Sequence, residues 1–386
     1  MGQKLNHHFV PQHHLRLFSG GTGFIRMVTR DGSRVVPKAS IRHQCAKHRY
    51  YQSDQVENWL GRLETRHAIT LRRVVTLASQ GAPRLSVWDN YYLREAALLQ
   101  RQRTPRNAQL GASSSDKATL HAFRQHLAGE PRDKDTREAL RAIDEGRVTL
   151  EGSEAFTVMV SLSAVEESVP LLADLNLLVL RNETDVPFVL GDNPCVFTNH
   201  RFRDVQGYGV LGFASRGLMI SMPLTPDVEI LMYDSSCYSL RDAYAPVISL
   251  QDRQDVQQLN EVQVQSSLSA VYFRDESVTE YVQSLVVGTP QCSLEGGFLV
   301  YEPVAPELRE REQIMATYEP QLPTSLDMTF LETLPAPRGY IAFRPRWPEQ
   351  VARVEGALGL DQTGPMPMEE LLKQVRHQIR VAPSDA

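Results

Sequence analysis

Three familiar catalytic signatures are missing from these 386 residues: a glycine-rich phosphate loop, a Gly-x-Ser-x-Gly elbow and a His-Glu-x-x-His pair. Their absence excludes the common NTPases, α/β-hydrolases and zinc proteases. Cysteine is scarce too. Cys45, Cys195, Cys237 and Cys292 are scattered with no Cys-x-x-Cys spacing, which fits reduced thiols better than a disulfide framework. No stretch approaches the ~18 consecutive apolar residues of a membrane helix, and the opening MGQKLNHH has neither an apolar run nor a cleavage signature. A cytoplasmic protein that does not engage a membrane is the expectation. Internal repeats and low-complexity tracts are absent as well.

What is present is an ordinary balance, 42% apolar and 23% charged residues, in a chain long for a single core. The net charge of -5 conceals an asymmetry. Residues 1–110 hold 18 Lys+Arg against 6 Asp+Glu, a net of +12, and the remainder holds 23 against 40, a net of -17. A basic front suits contact with nucleic-acid phosphates, and equally suits neutralisation by the acidic back half across an internal interface.

Patterning predicts an α+β protein: an N-terminal β-hairpin, a helical bundle and a mostly antiparallel sheet. In residues 20–41 an alternating Phe24–Thr29 run, an Asp31-Gly32 turn and Val35-Val36 read as the hairpin. Val56, Trp59, Leu60, Leu63, His67, Leu71, Val74 and Leu77 recur at helical spacing, predicting a helix over 54–79 with Ser53 or Asp54 as cap. Gly81-Ala82-Pro83 ends it. A second helix is expected over 86–103, stopped at Thr104-Pro105, with others near 115–128, 133–146 and 153–172, the last nearly all apolar and therefore buried. Residues 175–183, 188–199, 217–225 and 228–234 read as strands of one sheet, followed by helix at 250–270 and 278–287 and again at 366–379. The expected division is a core of residues 1–290 (1–52 opening segment and hairpin, 53–172 helical, 173–290 sheet and helices) and an extension of 291–386.

The stretch NHHFVPQHHLRLF places four histidines within residues 6–18. His8, ahead of Phe9-Val10-Pro11, can act as general acid or base because its ordinary pKa lies near neutrality. Glu57 and Glu64 return to nearly one helical face, and His67 follows Glu64 at i+3. A Glu-x-x-His pair can hold a metal only with equivalents on neighbouring helices, and none is present. His43, Cys45 and His48 have irregular spacing and a lone thiol, a poor zinc pattern. Arg101, Arg103 and Arg106 surround a helix end, where guanidinium forks suit phosphate oxygens or an internal ion pair. In LGDNPCVF, Asp192 and Asn193 enter a turn fixed by Pro194, which turn chemistry alone explains but which also presents a carboxylate at a strand end.

Taken in order, these motifs resemble a bacterial family known as domain of unknown function 4238. The likeness rests on His8-Phe9-Val10-Pro11, Leu15 to Phe18, Glu64 in a helix, Arg103-Thr104-Pro105, Asp192-Asn193-Pro194, Pro223 to Pro226 and Asn260, and spans about residues 6–275. This chain departs from the pattern at Gly191, where the family commonly has Ser. His7, His13 and His14 fall outside the pattern and are expected to be incidental.

The resemblance implies no reaction, so the residue types must supply one. His8, Glu64, Arg103 and Asp192 form the candidate catalytic set, and Gln12, Arg106, Asn193 and Asn260 the candidate substrate contacts. Histidine could move a proton, arginine could stabilise an anion, and the carboxylates could orient the histidine or hold a divalent metal ion. With a basic front half, the best-matched activity is a nuclease or other phosphodiesterase, as in a defence or toxin-type effector. The alternatives are an enzyme on a small phosphorylated ligand and a non-catalytic ligand-binding or sensor protein.

Overall fold

The computed structural model describes residues 6–335, apart from 52, 82–84, 130–133, 149, 151, 206–208, 243–244 and 302–313. The helix expected near the C-terminus, and the break at Ala82-Pro83, lie outside the described residues.

The opening histidines form a short strand, β1 (Asn6–His8), followed by a single-turn-and-a-half helix, α1 (Gln12–Leu17). The hairpin is β2 (Phe24–Thr29) and β3 (Val35–Ser40), with Gly32 at a φ of 71 in its turn. Next comes β4 (Ala46–His48), which returns to pair antiparallel with β1, His8 opposite Ala46.

Helix α2 (Asp54–Ser79) spans the residues its periodicity predicts, and the Ser53 side chain accepts from the Val56 amide. In α3 (Val87–Gln102), Ser86 and Asp89 cap each other reciprocally, satisfying two amides that the first turn leaves unpaired. Pro105 stops α3 but also starts α4 (Pro105–Gly129), because a first-turn position needs no backbone donor. Then follow α5 (Lys134–Asp144), α6 (Glu154–Ser163) and the one-turn α7 (Val165–Ser168). The single helix expected over 153–172 is thus broken, with a bend of 55° between its two halves. Among the described residues no single helix is long and apolar enough to cross a membrane.

The four apolar segments expected in one sheet divide between two. Strands β5 (Asn176–Asn182), β6 (Leu190–Gly191), β7 (Val196–Thr198), β8 (Met219–Thr225) and β9 (Val228–Tyr233) are followed by β10 (Tyr238–Leu240) and β11 (Val247–Leu250). The larger sheet has the order β11-β5-β9-β8-β7, antiparallel except where β11 joins β5. β6 leaves it, because Asn193-Pro194 turns the chain between Gly191 and Val196. Helix α8 (Arg253–Ser266) is followed by β12 (Ala270–Phe273), a strand in the gap between the expected helices 250–270 and 278–287, and by α9 (Thr279–Gly288). β12 pairs with both β2 and β6, building the second sheet, β3-β2-β12-β6.

Both faces of the larger sheet are covered, which explains its unbroken apolar runs. Ile220, Met222, Ile230 and Met232 join Trp59, Leu63 and Leu98 of α2 and α3 in one cluster, while Met219, Leu231 and Tyr233 join Leu259 and Val262 of α8 in another. Residues beyond 290 contribute as well: β13 (Gly297–Tyr301) pairs with β14 (Ile314–Tyr318), and β15 (Leu331–Thr333) pairs with β10. Leu326, Met328 and Leu331 are buried in the α8 cluster.

Candidate functional site

Strand alternation sends the neighbours His8 and Phe9 to different cavities. His8 lines a broad cleft of about 1010 Å³ and Phe9 a smaller cavity of about 450 Å³. Beneath them lies Arg103, the last residue before the break between α3 and α4. Its Nη2 donates to the His8 carbonyl (2.7 Å), its Nε to the Phe9 carbonyl (2.8 Å) and its Nη1 to Glu64 Oε1 (2.8 Å). Gln100 Nε2 donates to the Phe9 carbonyl too (2.8 Å). One buried guanidinium therefore fixes the segment that carries His8 and the carboxylate that faces it.

The cleft is lined by His8, Gln12, His13 and Arg16 from the opening segment, by Arg42 and His48, and by Glu57, Glu64 and Arg72 of α2. His8 Nε2 donates to the Arg42 carbonyl (3.2 Å), and the Gln12 amide nitrogen is 3.4 Å from the same ring atom. A carbonyl can only accept, so the proton sits on Nε2 and Nδ1 keeps the lone pair. Burial lowers the His8 pKa from its ordinary 6.5, helped by the Arg103 charge and opposed by the Arg42 carbonyl and by Glu64. The imidazole is accordingly neutral at neutral pH. Gln12 also accepts from Arg16 Nη2 (2.7 Å), which steadies the rim of the cleft.

His8, Glu64 and Arg103 are thus brought together, with Gln12 beside them. Arg103 itself is 0% exposed, so its charge orients Glu64 and the backbone rather than meeting a ligand. Asp192 lines the smaller cavity instead. Its two oxygens accept from the Leu268 (2.8 Å) and Ser269 (2.7 Å) amides, closing the turn after α8, and burial raises its pKa against those bonds. Arg106 lines that second cavity also. Asn193 accepts from Thr104 Oγ1 (2.7 Å), joining the two Pro-containing breaks, and lines neither cavity. Asn260 is fully buried, accepting from the Val189 amide (2.9 Å) and donating to the Pro187 carbonyl (2.9 Å), so it anchors the approach to β6. Of the two asparagines expected to touch substrate, Asn193 holds the Thr104 hydroxyl and Asn260 holds backbone, and neither lines the cleft over His8.

The Glu64-x-x-His67 pair does not converge. Glu64 turns to Arg103, whereas His67 Nε2 donates to Glu95 Oε2 (2.7 Å). Glu95 is wholly buried and accepts further from Arg66 Nη2 (3.2 Å) and from Tyr91 (3.3 Å). Sequence reasoning overlooked Glu95, although its presence four residues after Tyr91 on an otherwise apolar helix face was a signal. Two histidines expected to be incidental are structural. His7 Nδ1 accepts from the Tyr51 amide (3.0 Å), and buried His14 donates to the Pro223 carbonyl (2.6 Å), joining α1 to β8. Gly191 has a physical reason here: a β-carbon at that position would meet the Ser267 hydroxyl and lie 2.9 Å from the Gln263 carbonyl. Among the described residues no group of three or more His, Cys, Asp or Glu is placed to hold a metal ion.

In comparison with known families the chain matches the model described as protein of unknown function (DUF4238) over residues 6–277. No curated protein and no solved structure matches the chain.

Proposed function

The chain belongs to the DUF4238 family, and from that premise we propose that it is a phosphodiester-directed enzyme acting on nucleic acid in the cleft over His8. The observation that carries the reading is the composition of that one cleft: a neutral imidazole, the Glu64 carboxylate opposite, and Arg16, Arg42 and Arg72 around them. His8 Nδ1 takes the proton from an attacking water or sugar hydroxyl, and Glu64 stabilises the imidazolium that results. The arginines hold the phosphate and the charge that grows on it in the transition state. Arg103 is a positioning residue, since its hydrogen bonds go to Glu64 and to the His8 and Phe9 carbonyls.

The test exposes wild-type protein and a His8→Ala variant to labelled tRNA, single-stranded RNA and duplex DNA, with magnesium or manganese and again with chelator. Cleavage reduced about 100-fold or more in the variant is expected, the usual range for losing a general base. The chelator lanes decide whether Glu57 and Glu64 act through a metal ion. Absence of both cleavage and salt-dependent binding overturns the proposal.

A second reading has its own support in the grip of Arg103 on the His8 and Phe9 carbonyls, which makes this segment a structural staple of a non-catalytic binding protein. It expects His8→Ala to lower the melting temperature without removing any activity.

A further inference from the structure

We propose that the smaller cavity is a second binding site, built around Arg106 for a small oxyanion and separate from the cleft over His8. Arg106 is 2% exposed, yet neither Nη1 nor Nη2 has a hydrogen-bond partner among the described residues. Buried charges in folded proteins are paired, because an unpaired one forfeits its hydration without compensation. Here the missing partner has a place to sit. Arg106 lines a cavity of about 450 Å³, within the ~300–1,000 Å³ range of small-molecule sites.

The remaining walls define what would fit. Pro105 and Arg106 begin the 25-residue α4, so the positive end of its dipole opens on the same cavity. Phe9, Met27 and Tyr272 supply apolar and aromatic surface, and Gln109 an amide. Asp192 is present too, its oxygens accepting from the Leu268 and Ser269 amides, and it makes no hydrogen bond to Nη1 or Nη2 of Arg106. Its charge disfavours a dianion. The geometry therefore suits a singly charged oxyanion, a carboxylate before a phosphate, carried on a flat apolar body. Cys45, which lines the cavity with a φ of 51, adds a left-handed backbone that a non-glycine residue adopts at a cost, a strain typical of ligand sites.

The test is thermal denaturation of the full chain against benzoate, inorganic phosphate and chloride at matched ionic strength, with Arg106→Met alongside. A saturable rise in melting temperature with benzoate or phosphate beyond that with chloride, absent in Arg106→Met, supports the site. Whichever oxyanion acts identifies whether a carboxylate or a phosphate is the carrier. Without oxyanion, Arg106→Met should melt at or above the wild type, since burial of the Arg106 charge outweighs the attraction of Glu319 and Asp192. A large fall would give the charge a structural role and overturn the proposal, as would equal responses to all three salts or a response that survives in Arg106→Met. If Arg106→Met does not fold, Arg106→Lys carries the test: loss of the planar fork should weaken the apparent affinity at least tenfold, and unchanged affinity overturns the proposal. None of these readouts depends on nucleic-acid cleavage, so failure here and failure of the cleft proposal are separable.

Discussion

Arg103 and Arg106 stand three residues apart where α3 gives way to α4, both nearly sealed from solvent, and their surroundings are opposite. Arg103 donates to two carbonyls and a carboxylate, while the terminal nitrogens of Arg106 donate to nothing among the described residues. The cleft on the Arg103 side is broad and ringed with charge, whereas the cavity on the Arg106 side is smaller and walled in part by aromatic rings. A buried arginine can thus be the end of a network or the start of one. Counting the acceptors its donors reach distinguishes the two, and residue type does not.

The largest expected effect comes from breaking the satisfied member. Arg103→Met removes the partner of Glu64 and strands the His8 and Phe9 carbonyls, and should cost about 3 kcal/mol or more in urea unfolding. A loss no larger than that of Arg106→Met would erase the contrast between the two sites.

A smaller effect is expected from acid. Burial drives His14 down to about 4 from 6.5, and His13 to about 2, so between those values and 6.5 the unfolded chain binds protons that the folded chain refuses. Stability must then fall as pH drops below 6.5, by about 2 kcal/mol between pH 7 and pH 5 for His14 alone. Denaturant midpoints across that range check the sign, and His14→Gln should flatten the slope. An unchanged slope would remove His14 as its source.

The smallest effect concerns one phosphate contact. Arg72→Gln, in the cleft, should lower the salt slope of RNA binding by about 1 and leave the benzoate response untouched. A change in both would show the two cavities to be one site.

Much of the local structure was legible in the sequence. The 54–79 helix declares itself because its buried face recurs every three or four residues and Ser53 caps it. The hairpin does so because alternating apolar residues flank Asp-Gly. Where legibility failed, the pattern was too short or too apolar to have a period. Ala270–Phe273 is four consecutive buried residues, too short a run to declare a strand after the helix expected over 250–270. In residues 153–172 nearly every position is apolar, so nothing in the spacing marks the bend after Ser163. The separation of Leu190–Gly191 from Val196–Thr198 depends on which partner strand each meets, and that partner, β12, comes about 80 residues later. The candidate site divides the same way. His8, Glu64 and Arg103 were singled out from motifs, but Glu95 was missed, and Asp192 was grouped with residues that line a different cavity.

The sequence by itself determined the α+β class, the 54–79 helix with its cap, and family membership, because propensity, periodicity and motif order are local properties of a chain. Only the tertiary structure decided which strands share a sheet, that His8 and Phe9 look into different cavities, and that Arg103 is satisfied while the terminal nitrogens of Arg106 have no hydrogen-bond partner among the described residues. Hydrogen bonds and burial between residues ninety or more positions apart are settled by packing, and packing leaves no periodic mark on the chain.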